Sequence, residues 1–511
     1  MTDWTSGYVA EIDYTFGYYT ELNPLRVKLA FLNAGLVPPE IGTACELGYG
    51  QGMSANIHAA ASVVQWHGTD FNPSQAGFAQ ELAASSGSGA QLHDDAFAEF
   101  CARPELPEFD YIGLHGIWSW ISDENRSIIV DFIRRKLKVG GVLYISYNTL
   151  PGWATFAPMR HLLKQHASTL GADGAGLVNR IEGALGFADK LLETNPLFSR
   201  ETPAVTERFK ALKSQNRNYL AHEYFNSDWH PMYFADMAKC LSSAKLNYAC
   251  SAHLLDHVDA INLSAQQQTL LQAIPDAMLR ESVRDFIVNQ QFRKDFWIKG
   301  ARKLAPLEQV EALRQLRVVL TTLRADVPMK VTTSLGDANM NEAVYTPVLD
   351  ALADHKITSL AEIEQAVRDK GVSFGQMSQA IVILAGAGHI QLAQDEQTIS
   401  RAKQTTDRLN AHLLNKSRSS TEMNYLASPV TGGGITVRRF AQMFLQAHAQ
   451  GLNQPAQWAE YAWKVLATQN QQIVRDGKQL QTPEENLAEL HAQAQEFNSK
   501  LLPVLTSLQV A

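Results

Sequence analysis

Three glycines at alternate positions, in Glu46-Leu-Gly-Tyr-Gly-Gln-Gly52, form the clearest candidate ligand-binding segment of the sequence. An apolar stretch with strand character precedes them, and a stretch with helical character follows them. Glycines at such a junction let the backbone turn tightly and approach a ligand closely. The segment has neither the G-x-G-x-x-G spacing of a dinucleotide-binding turn nor the Gly-Lys-Ser/Thr of a P-loop. It predicts a small-ligand site at a strand-to-helix turn, with a purely structural turn as the alternative.

Acidic residues follow the next two predicted strands. Asp70 ends the second strand, where a carboxylate can accept hydrogen bonds from two ribose hydroxyls. Phe71 follows it and could pack on the face of a purine. Asp95 ends the third strand and could accept a hydrogen bond from an adenine amino group. The alternatives are that Asp70 only caps the next helix and that Asp94 takes the role of Asp95.

The elements that must position these residues alternate between strand and helix. The predicted strands are residues 43–47, 64–70, a short one ending at 94–95, 109–115 and 142–146, and Ser122 is predicted to cap the helix before the last of them. Strands that alternate with helices indicate an α/β fold with a parallel sheet and helices on both faces. In such a sheet ligands bind beyond the carboxyl ends of the strands, where the glycine turn and both acids would meet.

The remaining chain is predicted to be mostly helical. Residues 246–251 form a further strand that could rejoin the sheet, which would make the helices before it an insertion. Residues 265–304 are predicted to be helical throughout. The order helix, helix, helix, strand near residues 340–400 suits a winged-helix module, but its third helix carries no Lys or Arg and therefore predicts a packing or protein-contact unit. The predicted domains are residues 1–262 with a helical insertion at about 152–222, a helical middle region 263–338, a winged-helix-like module 339–400, and a mostly helical C-terminal domain 401–511.

Composition excludes several classes of protein. The 511 residues are 45% hydrophobic and 19% charged, as in ordinary globular proteins, and the net charge of -8 argues against a nucleic-acid binder. The four cysteines are too scattered for a disulfide framework or a zinc site, so no metal is predicted. The first residues lack the features of a signal peptide, and the strongest apolar stretch, 380–387, is too short to cross a bilayer. We therefore expect a cytoplasmic protein without membrane insertion.

Four segments taken together resemble the successive motifs of class I S-adenosylmethionine (AdoMet)-dependent methyltransferases: 46–52, 68–72, 95–97 and 109–112. The resemblance implies a Rossmann-like domain in which the glycine turn backs the methionine moiety of the cofactor. It also implies that the acid after the second strand holds the ribose and that the Asp-Ala turn after the third strand holds the adenine. The expected cofactor-binding residues are Glu46, Gly48, Gly50, Gly52, Asp70, Phe71, Asp95, Ala96 and His115.

A narrower resemblance covers most of the chain. Residues 114–120, 146–153, 219–226, 289–297 and 427–432 resemble segments of bacterial methyltransferases that carry a methyltransferase regulatory domain. This group includes protein-lysine methyltransferases that act on outer-membrane proteins, and other members occur in surface-polysaccharide gene sets. The resemblance implies AdoMet as cofactor and a protein as the expected substrate, with a homodimer as a possible assembly.

Aromatic residues supply the candidate acceptor site. Tyr18 or Tyr19, in a segment that could fold over the carboxyl edge of the sheet, is expected to line it together with His115 and Trp118. A desolvated aromatic slot would lower the pKa of a lysine acceptor and would attract methylated ammonium products. The alternatives are that the tyrosines pack in a core or a dimer interface, that His115 contacts the cofactor through backbone atoms, and that Trp118 is structural.

Three functions remain open at this point. The first is a protein-lysine methyltransferase, which predicts an apolar aromatic slot with acidic residues at its rim. The second is a methyltransferase of a surface glycan or small metabolite, which needs a His or Asp beside the donor as the base for a hydroxyl acceptor, and His115 keeps this function open. The third is an AdoMet-binding regulator or scaffold without turnover.

Overall fold

The centre of the molecule is a seven-stranded sheet, seen in a computed structural model that describes residues 15–171, 176–226 and 228–511. The order of the strands is β3-β2-β1-β4-β5-β7-β6. Strands β1 to β5 run parallel, and β7 runs antiparallel to both of its neighbours. The strands are β1 Thr43–Leu47, β2 Gln65–Thr69, β3 Gln91–His93, β4 Phe109–Leu114, β5 Leu137–Asn148, β6 Leu246–Ser251 and β7 Phe292–Lys299.

Helices cover both faces of the sheet, as the alternation of strands and helices predicts. Successive side chains of a strand point to opposite faces, so Val142 and Tyr144 of β5 join one hydrophobic core while Leu143 and Ile145 join another. The first face carries α1 Pro24–Asn33, α2 Met53–Ala61 and α3 Pro73–Ser86. The second face carries α4 Phe97–Ala102, α5 Asp123–Lys136 and, later in the chain, Phe234–Ser242.

The prediction of continuous helix over residues 265–304 is wrong for 292–299, because these residues form β7, an interior strand of the sheet. The charged residues that suggest an exposed helix are instead enclosed: Arg293 is 5% exposed and Asp295 is 1% exposed, and they pair with each other. The predicted boundary at residue 262 would therefore divide one sheet between two domains, and the sheet domain extends at least to residue 299.

Between β5 and β6 the chain forms a cap of short helices. These are α6 Leu150–Trp153, α7 Ala157–Thr169, α8 Leu177–Glu193, α9 Leu197–Glu201, α10 Ala204–Lys213 and α11 Arg217–Tyr224, and the sheet-covering helix α12 Phe234–Ser242 follows the cap. The cap has a hydrophobic core of its own, built around Trp153 and Phe156. Between β6 and β7 follow α13 Asp259–Asn262, α14 Ala265–Gln272 and α15 Ala277–Ile287.

A small three-stranded sheet, in the order β11-β8-β12, organises the next part of the chain. Its first strand lies at 317–320, so this unit begins before the predicted boundary at residue 339. Three helices and a strand lie where the sequence predicts them, and their identification as a winged helix stays a prediction. The elements are α16 Pro306–Arg314, β8 Arg317–Leu320, β9 Lys330–Thr333, β10 Gly336–Asn339, α17 Glu342–Asp350, β11 Thr358–Ser359, α18 Leu360–Val367, α19 Phe374–Gly386 and β12 Ile390–Leu392.

The C-terminal region packs directly on the sheet domain. Its first helix starts at residue 396, which crosses the predicted boundary at 400/401, and lies against α2 and α3. Thr406 Oγ1 donates a hydrogen bond of 2.9 Å to the carbonyl of Ala60, the penultimate residue of α2. The elements are α20 Glu396–Lys416, β13 Tyr425–Ser428, β14 Gly433–Thr436, α21 Arg439–Ala449, α22 Pro455–Thr468, β15 Val474–Arg475, β16 Lys478–Gln479, α23 Pro483–Glu496 and α24 Leu502–Ser507.

In the part of the chain that the structure describes, no helix is both long enough and apolar enough to span a membrane.

The place of β7 inside the sheet can be tested through Trp297, which is 1% exposed. Trp297→Ala is expected to lower the free energy of unfolding of the sheet domain by about 3–5 kcal/mol, because a large buried ring would leave a cavity. Denaturant unfolding followed by circular dichroism measures this loss. Val139→Ala is the control, since Val139 of β5 is 85% exposed. An equally small effect of both substitutions would contradict an interior position for β7.

Candidate active site

The glycine turn lies at the carboxyl edge of the sheet, between β1 and α2. Gly48, Gly50 and Gly52 have φ angles of 70°, 59° and 69°, a left-handed conformation that side chains with a Cβ rarely adopt. At Gly48 there is also no room, since a Cβ would lie 2.1 Å from Cδ1 of Ile117. The turn is fixed to the neighbouring strand because the Gly48 amide donates to the carbonyl of Thr69 at 2.7 Å.

Asp70 connects the end of β2 to this turn. Its Oδ2 accepts a hydrogen bond from the Gly50 amide at 2.8 Å, and its Oδ1 accepts one from the Asn72 amide at 3.1 Å. The residue is 7% exposed. Burial raises the pKa of Asp70 to about 6, although both amide hydrogen bonds act in the opposite direction.

Glu46 is a second buried acid, in β1 beneath the turn, and it is 3% exposed. Burial, followed by the negative charge of Asp70, raises the pKa of Glu46 to about 8. Its Oε2 is enclosed and accepts no hydrogen bond from the residues that the structure describes. A buried carboxylate oxygen without a donor is costly, so the site has unused capacity to accept a hydrogen bond or to face a cation.

A cavity of about 340 Å³ opens beside the turn. Four of the residues that line it are acidic, and among the described lining residues none is Lys or Arg. Seven predicted cofactor-binding residues meet there: Gly48, Gly50, Asp70, Phe71, Asp95, Ala96 and His115. Glu46 and Gly52 do not line it, because Glu46 lies below the turn and Gly52 forms the N-cap of α2.

Asp95 has a partner that the sequence analysis did not anticipate. Its carboxylate forms two hydrogen bonds with the Arg103 guanidinium, from Nε at 2.5 Å and from Nη2 at 3.2 Å. Asp95 nevertheless lines the cavity, whereas its competitor Asp94 is exposed and does not. The amide of Ala96 donates to Glu99 at the start of α4, which fixes this turn.

Trp118 does not lie where the sequence analysis expects it. It is completely buried in the core on the second face of the sheet, and its indole Nε1 donates to Sδ of Met232 at 3.2 Å. Trp118 does not line the cavity, whereas Trp120 does. Residues 118–120 form a single 3-10 turn, which directs two residues only two positions apart to different surroundings.

The two tyrosines of the N-terminal segment also separate. Tyr19 stacks on His115 with ring centroids 3.7 Å apart and an angle of 22° between the rings. Tyr18 faces away from the cavity, with its hydroxyl 3.1 Å from Nε2 of His58 in α2. Nδ1 of His115 lies 2.7 Å from the hydroxyl of Tyr144, and burial lowers the pKa of His115 to about 3. The imidazole is therefore neutral at physiological pH.

Part of the cavity wall escaped sequence reasoning. The start of α5 supplies Ser122, Glu124, Asn125 and Ile128, and the predicted helix cap at Ser122 was a usable signal for them. Asn226 and Asp228 come from the segment after the helical cap. They lie 112 and 114 residues beyond Leu114 in the chain, so no local pattern connects them with the cavity.

Comparisons with known proteins agree with this geometry. Residues 216–299 match the family model described as "Predicted methyltransferase regulatory domain". An uncharacterized protein of Synechocystis sp. is 41% identical over 513 residues, covering 99% of this chain and 100% of that protein. An uncharacterized protein of Rickettsia prowazekii is 25% identical over 55% of this chain and 51% of its own length. The structure of PKMT2 from Rickettsia typhi in complex with AdoHcy superposes with a TM-score of 0.69 at 16% identity, covering 98% of this chain and 100% of that one.

The strand order, the site and the matched regulatory segment define the class. The chain has the Rossmann-like class I methyltransferase fold and carries the segment that matches the methyltransferase regulatory-domain model. It belongs to the same family as the Synechocystis protein. The matched segment 216–299 is continuous with the catalytic sheet, since it supplies β6 and β7 as well as Asn226 and Asp228 of the cavity wall.

The residues present fit AdoMet. The cofactor carries a sulfonium and an ammonium group, and the cavity offers acids with no competing Lys or Arg among its described lining residues. Glu46 is largely protonated below its pKa of about 8, and a cation bound above the glycine turn would favour its carboxylate form.

The buried acid Glu46 predicts a pH-dependent stability of the ligand-free protein. Its folded-state pKa of about 8 lies above the ordinary value, so folding favours its protonated form and stability falls as pH rises from about 4.5 to 8. Glu46→Gln removes this loss and is expected to raise the thermal midpoint at pH 8 more than at pH 5. Thermal denaturation of both proteins at the two pH values measures the effect. The same difference at both values would show that Glu46 does not titrate in this range.

Proposed function

We propose that this chain binds AdoMet in the cavity beside the glycine turn and transfers its methyl group to the side-chain amine of a protein lysine. The observation that carries the proposal is the charge of the cavity wall, which combines Asp70, Asp95, Glu124 and Asp228 with no Lys or Arg among its described residues. Carboxylates favour a cationic donor and attract an amine acceptor, and they disfavour phosphorylated or carboxylated acceptors.

Four residues of the cavity wall have a specific role in binding the cofactor under this proposal. The carboxylate of Asp70 accepts hydrogen bonds from the ribose hydroxyls, and the turn at Asp95 and Ala96 borders the adenine. Phe71 packs against the adenine face. The bound cofactor supplies an activated methyl group, so the main work of the protein is to position the acceptor amine and to exclude water.

The acceptor amine must be neutral before it can attack. A free lysine has a pKa of about 10.4, and a poorly solvated site lowers that pKa by disfavouring the ammonium form. His115 and Trp120 give the cavity wall an aromatic character, and Tyr19, which is not itself a lining residue, stacks on His115. His115 adds no positive charge because its pKa is about 3. Acids at the rim, of which Glu124 is exposed, would attract the protonated amine before it enters.

The same pKa argues against His115 as the base for a hydroxyl acceptor. A surface glycan would need a general base near the donor, and a histidine with a pKa of about 3 is a weak base at neutral pH. No described feature of the site favours the glycan, metabolite or scaffold functions over lysine methylation.

Asp70 provides the test of the cofactor site. Asp70→Ala is expected to weaken AdoMet binding by about 1–3 kcal/mol, which is roughly a 5- to 150-fold rise in Kd, because hydrogen bonds to a charged acceptor are lost. Isothermal titration calorimetry measures the change. Asp94→Ala is the matched control, since Asp94 is an exposed neighbour that does not line the cavity. Unchanged affinity of the Asp70 variant would place the cofactor elsewhere.

The acceptor can be identified by its chemistry. The protein is incubated with methyl-labelled AdoMet and an unfolded lysine-rich protein, and the hydrolysed product is analysed for methyl-lysine. Acetylation of the lysines of the acceptor is expected to abolish labelling. Glu124→Lys is expected to lower kcat/KM for the lysine acceptor by about tenfold through repulsion at the rim, whereas Glu484→Lys on the exposed surface of α23 is not. Label recovered without methyl-lysine would contradict the proposal.

A further inference from the structure

The N-terminal segment 18–23 lies between the candidate acceptor site and the C-terminal region. On one side Tyr19 stacks on His115, which lines the cofactor cavity. On the other side Tyr18 packs beside Tyr425, with ring centroids 5.5 Å apart. Adjacent residues of one short segment thus contact the site and a hairpin that lies more than 400 positions later in the sequence.

The hairpin β13–β14 packs closely against this segment at Gly433 and Gly434, and these two residues are called the seat of Tyr18 and Asn23 below. A Cβ at Gly433 would lie 2.4 Å from the Tyr18 hydroxyl and 2.6 Å from Nδ2 of Asn23, and a Cβ at Gly434 would lie 3.0 Å from the Tyr18 ring. Neither glycine is among those with a positive φ, so a side chain at either position is opposed by the space that Tyr18 and Asn23 occupy and not by the backbone conformation. The side chain of Asn23 also donates to the carbonyl of Thr431 at 3.0 Å.

Other contacts leave the segment little freedom to absorb a displacement. The amide of Tyr19 donates to Oγ of Ser54 in α2 at 2.9 Å. Glu21 forms an ion pair of 2.6 Å with Lys294 of β7, and its side chain is 10% exposed. Because these contacts anchor the chain after Tyr18, we expect a shift of Tyr18 to strain its direct neighbour Tyr19, whose ring stacks on His115.

We infer that the C-terminal hairpin positions the acceptor site: Gly433 and Gly434 seat Tyr18 and Asn23, and this seat holds Tyr19 against His115. The inference rests on the proposed function for its kinetic consequence. Gly433, Gly434, Tyr18 and Asn23 act as positioning residues through Tyr19, and the C-terminal region is thereby a working part of the active site. A displacement of about 1 Å at a reacting centre can cost a hundredfold in rate, so small shifts of the seat matter.

Gly433→Ala tests the seat by adding one methyl group against Tyr18. We expect kcat for lysine methylation to fall by about 10- to 100-fold while the Kd for AdoMet stays unchanged. Gly375→Ala is the matched control, because Gly375 in α19 has open space around it and no positive φ, and it should leave both quantities unaltered. Tyr18→Leu, which removes the side chain from the seat, is a second variant with the same expected outcome should Gly433→Ala fold poorly.

A double-mutant cycle separates positioning from general destabilisation. In a Tyr19→Ala background, Gly433→Ala is expected to cause no further loss of kcat, since its effect passes through Tyr19. Equal losses of kcat in both backgrounds would overturn the inference. So would a loss of thermal stability in Gly433→Ala without any change in kcat.

A second readout does not depend on turnover. His115 contacts the Tyr19 ring and the Tyr144 hydroxyl, and the charges of Glu21 and Lys294 act on it in opposite directions. In the wild type its ring should not titrate between pH 5 and 8, because burial lowers its pKa to about 3. If Gly433→Ala moves Tyr19 away, the histidine NMR signal assigned through His115→Gln should begin to titrate in that range. This signal tests the seat even if lysine proves not to be the acceptor. An unaltered His115 signal in both Gly433→Ala and Tyr18→Leu would refute it.

Discussion

The hydrogen-bonded pairing of β7 with β5 is the constraint on which the rest of the molecule depends. The register runs without interruption from Val142 opposite Ile298 to Asn148 opposite Phe292. Strand β6 joins the sheet through β7 alone, so this pairing attaches the whole segment from the helical cap to residue 299. It also brings Phe292 to the carboxyl edge of the sheet, with its ring 6.3 Å from that of His115.

A buried ion cluster fixes that pairing at its most sensitive point. Arg293 of β7 forms ion pairs with Asp285 of α15 at 2.6 Å and with Asp295 at 2.9 Å, and the Tyr147 hydroxyl of β5 donates to Asp295. Burial raises the pKa of Asp285 to about 7 in spite of the Arg293 charge. Removing such charges from water is expensive, so the cluster adds little stability. The cluster joins β7 to α15 through Arg293 and Asp285 and to β5 through Asp295 and Tyr147, so a change of register would break both contacts.

Sequence reasoning reached the parts of the site that local patterns encode. The glycine turn, Asp70 and Asp95 each follow a strand directly, and the parallel topology then brings them to one edge. The prediction for β7 was wrong because charged residues such as Arg293 and Asp295 are typical of an exposed helix. Their buried partners, Asp285 and Tyr147, become evident only in the folded chain. Sequence reasoning also failed for Trp118, since one 3-10 turn decides which of two tryptophans reaches the cavity. Asn226 and Asp228 belong to the site only through the return of the chain after the cap, which no local pattern records.

The uneven charge of the cavity wall has a consequence for the direction of the catalytic cycle. Carboxylates attract the cavity's ligand in proportion to its positive charge. Arg103 offsets the charge of Asp95, whereas no described lining residue of the cavity is itself Lys or Arg. Methyl transfer converts a sulfonium into a neutral thioether, so the spent donor keeps only the charge of its amino-acid end. Under the proposed reaction, the wall therefore retains the fresh donor more strongly than its by-product. The charges that favour binding of the methyl donor thus also weaken inhibition by the by-product.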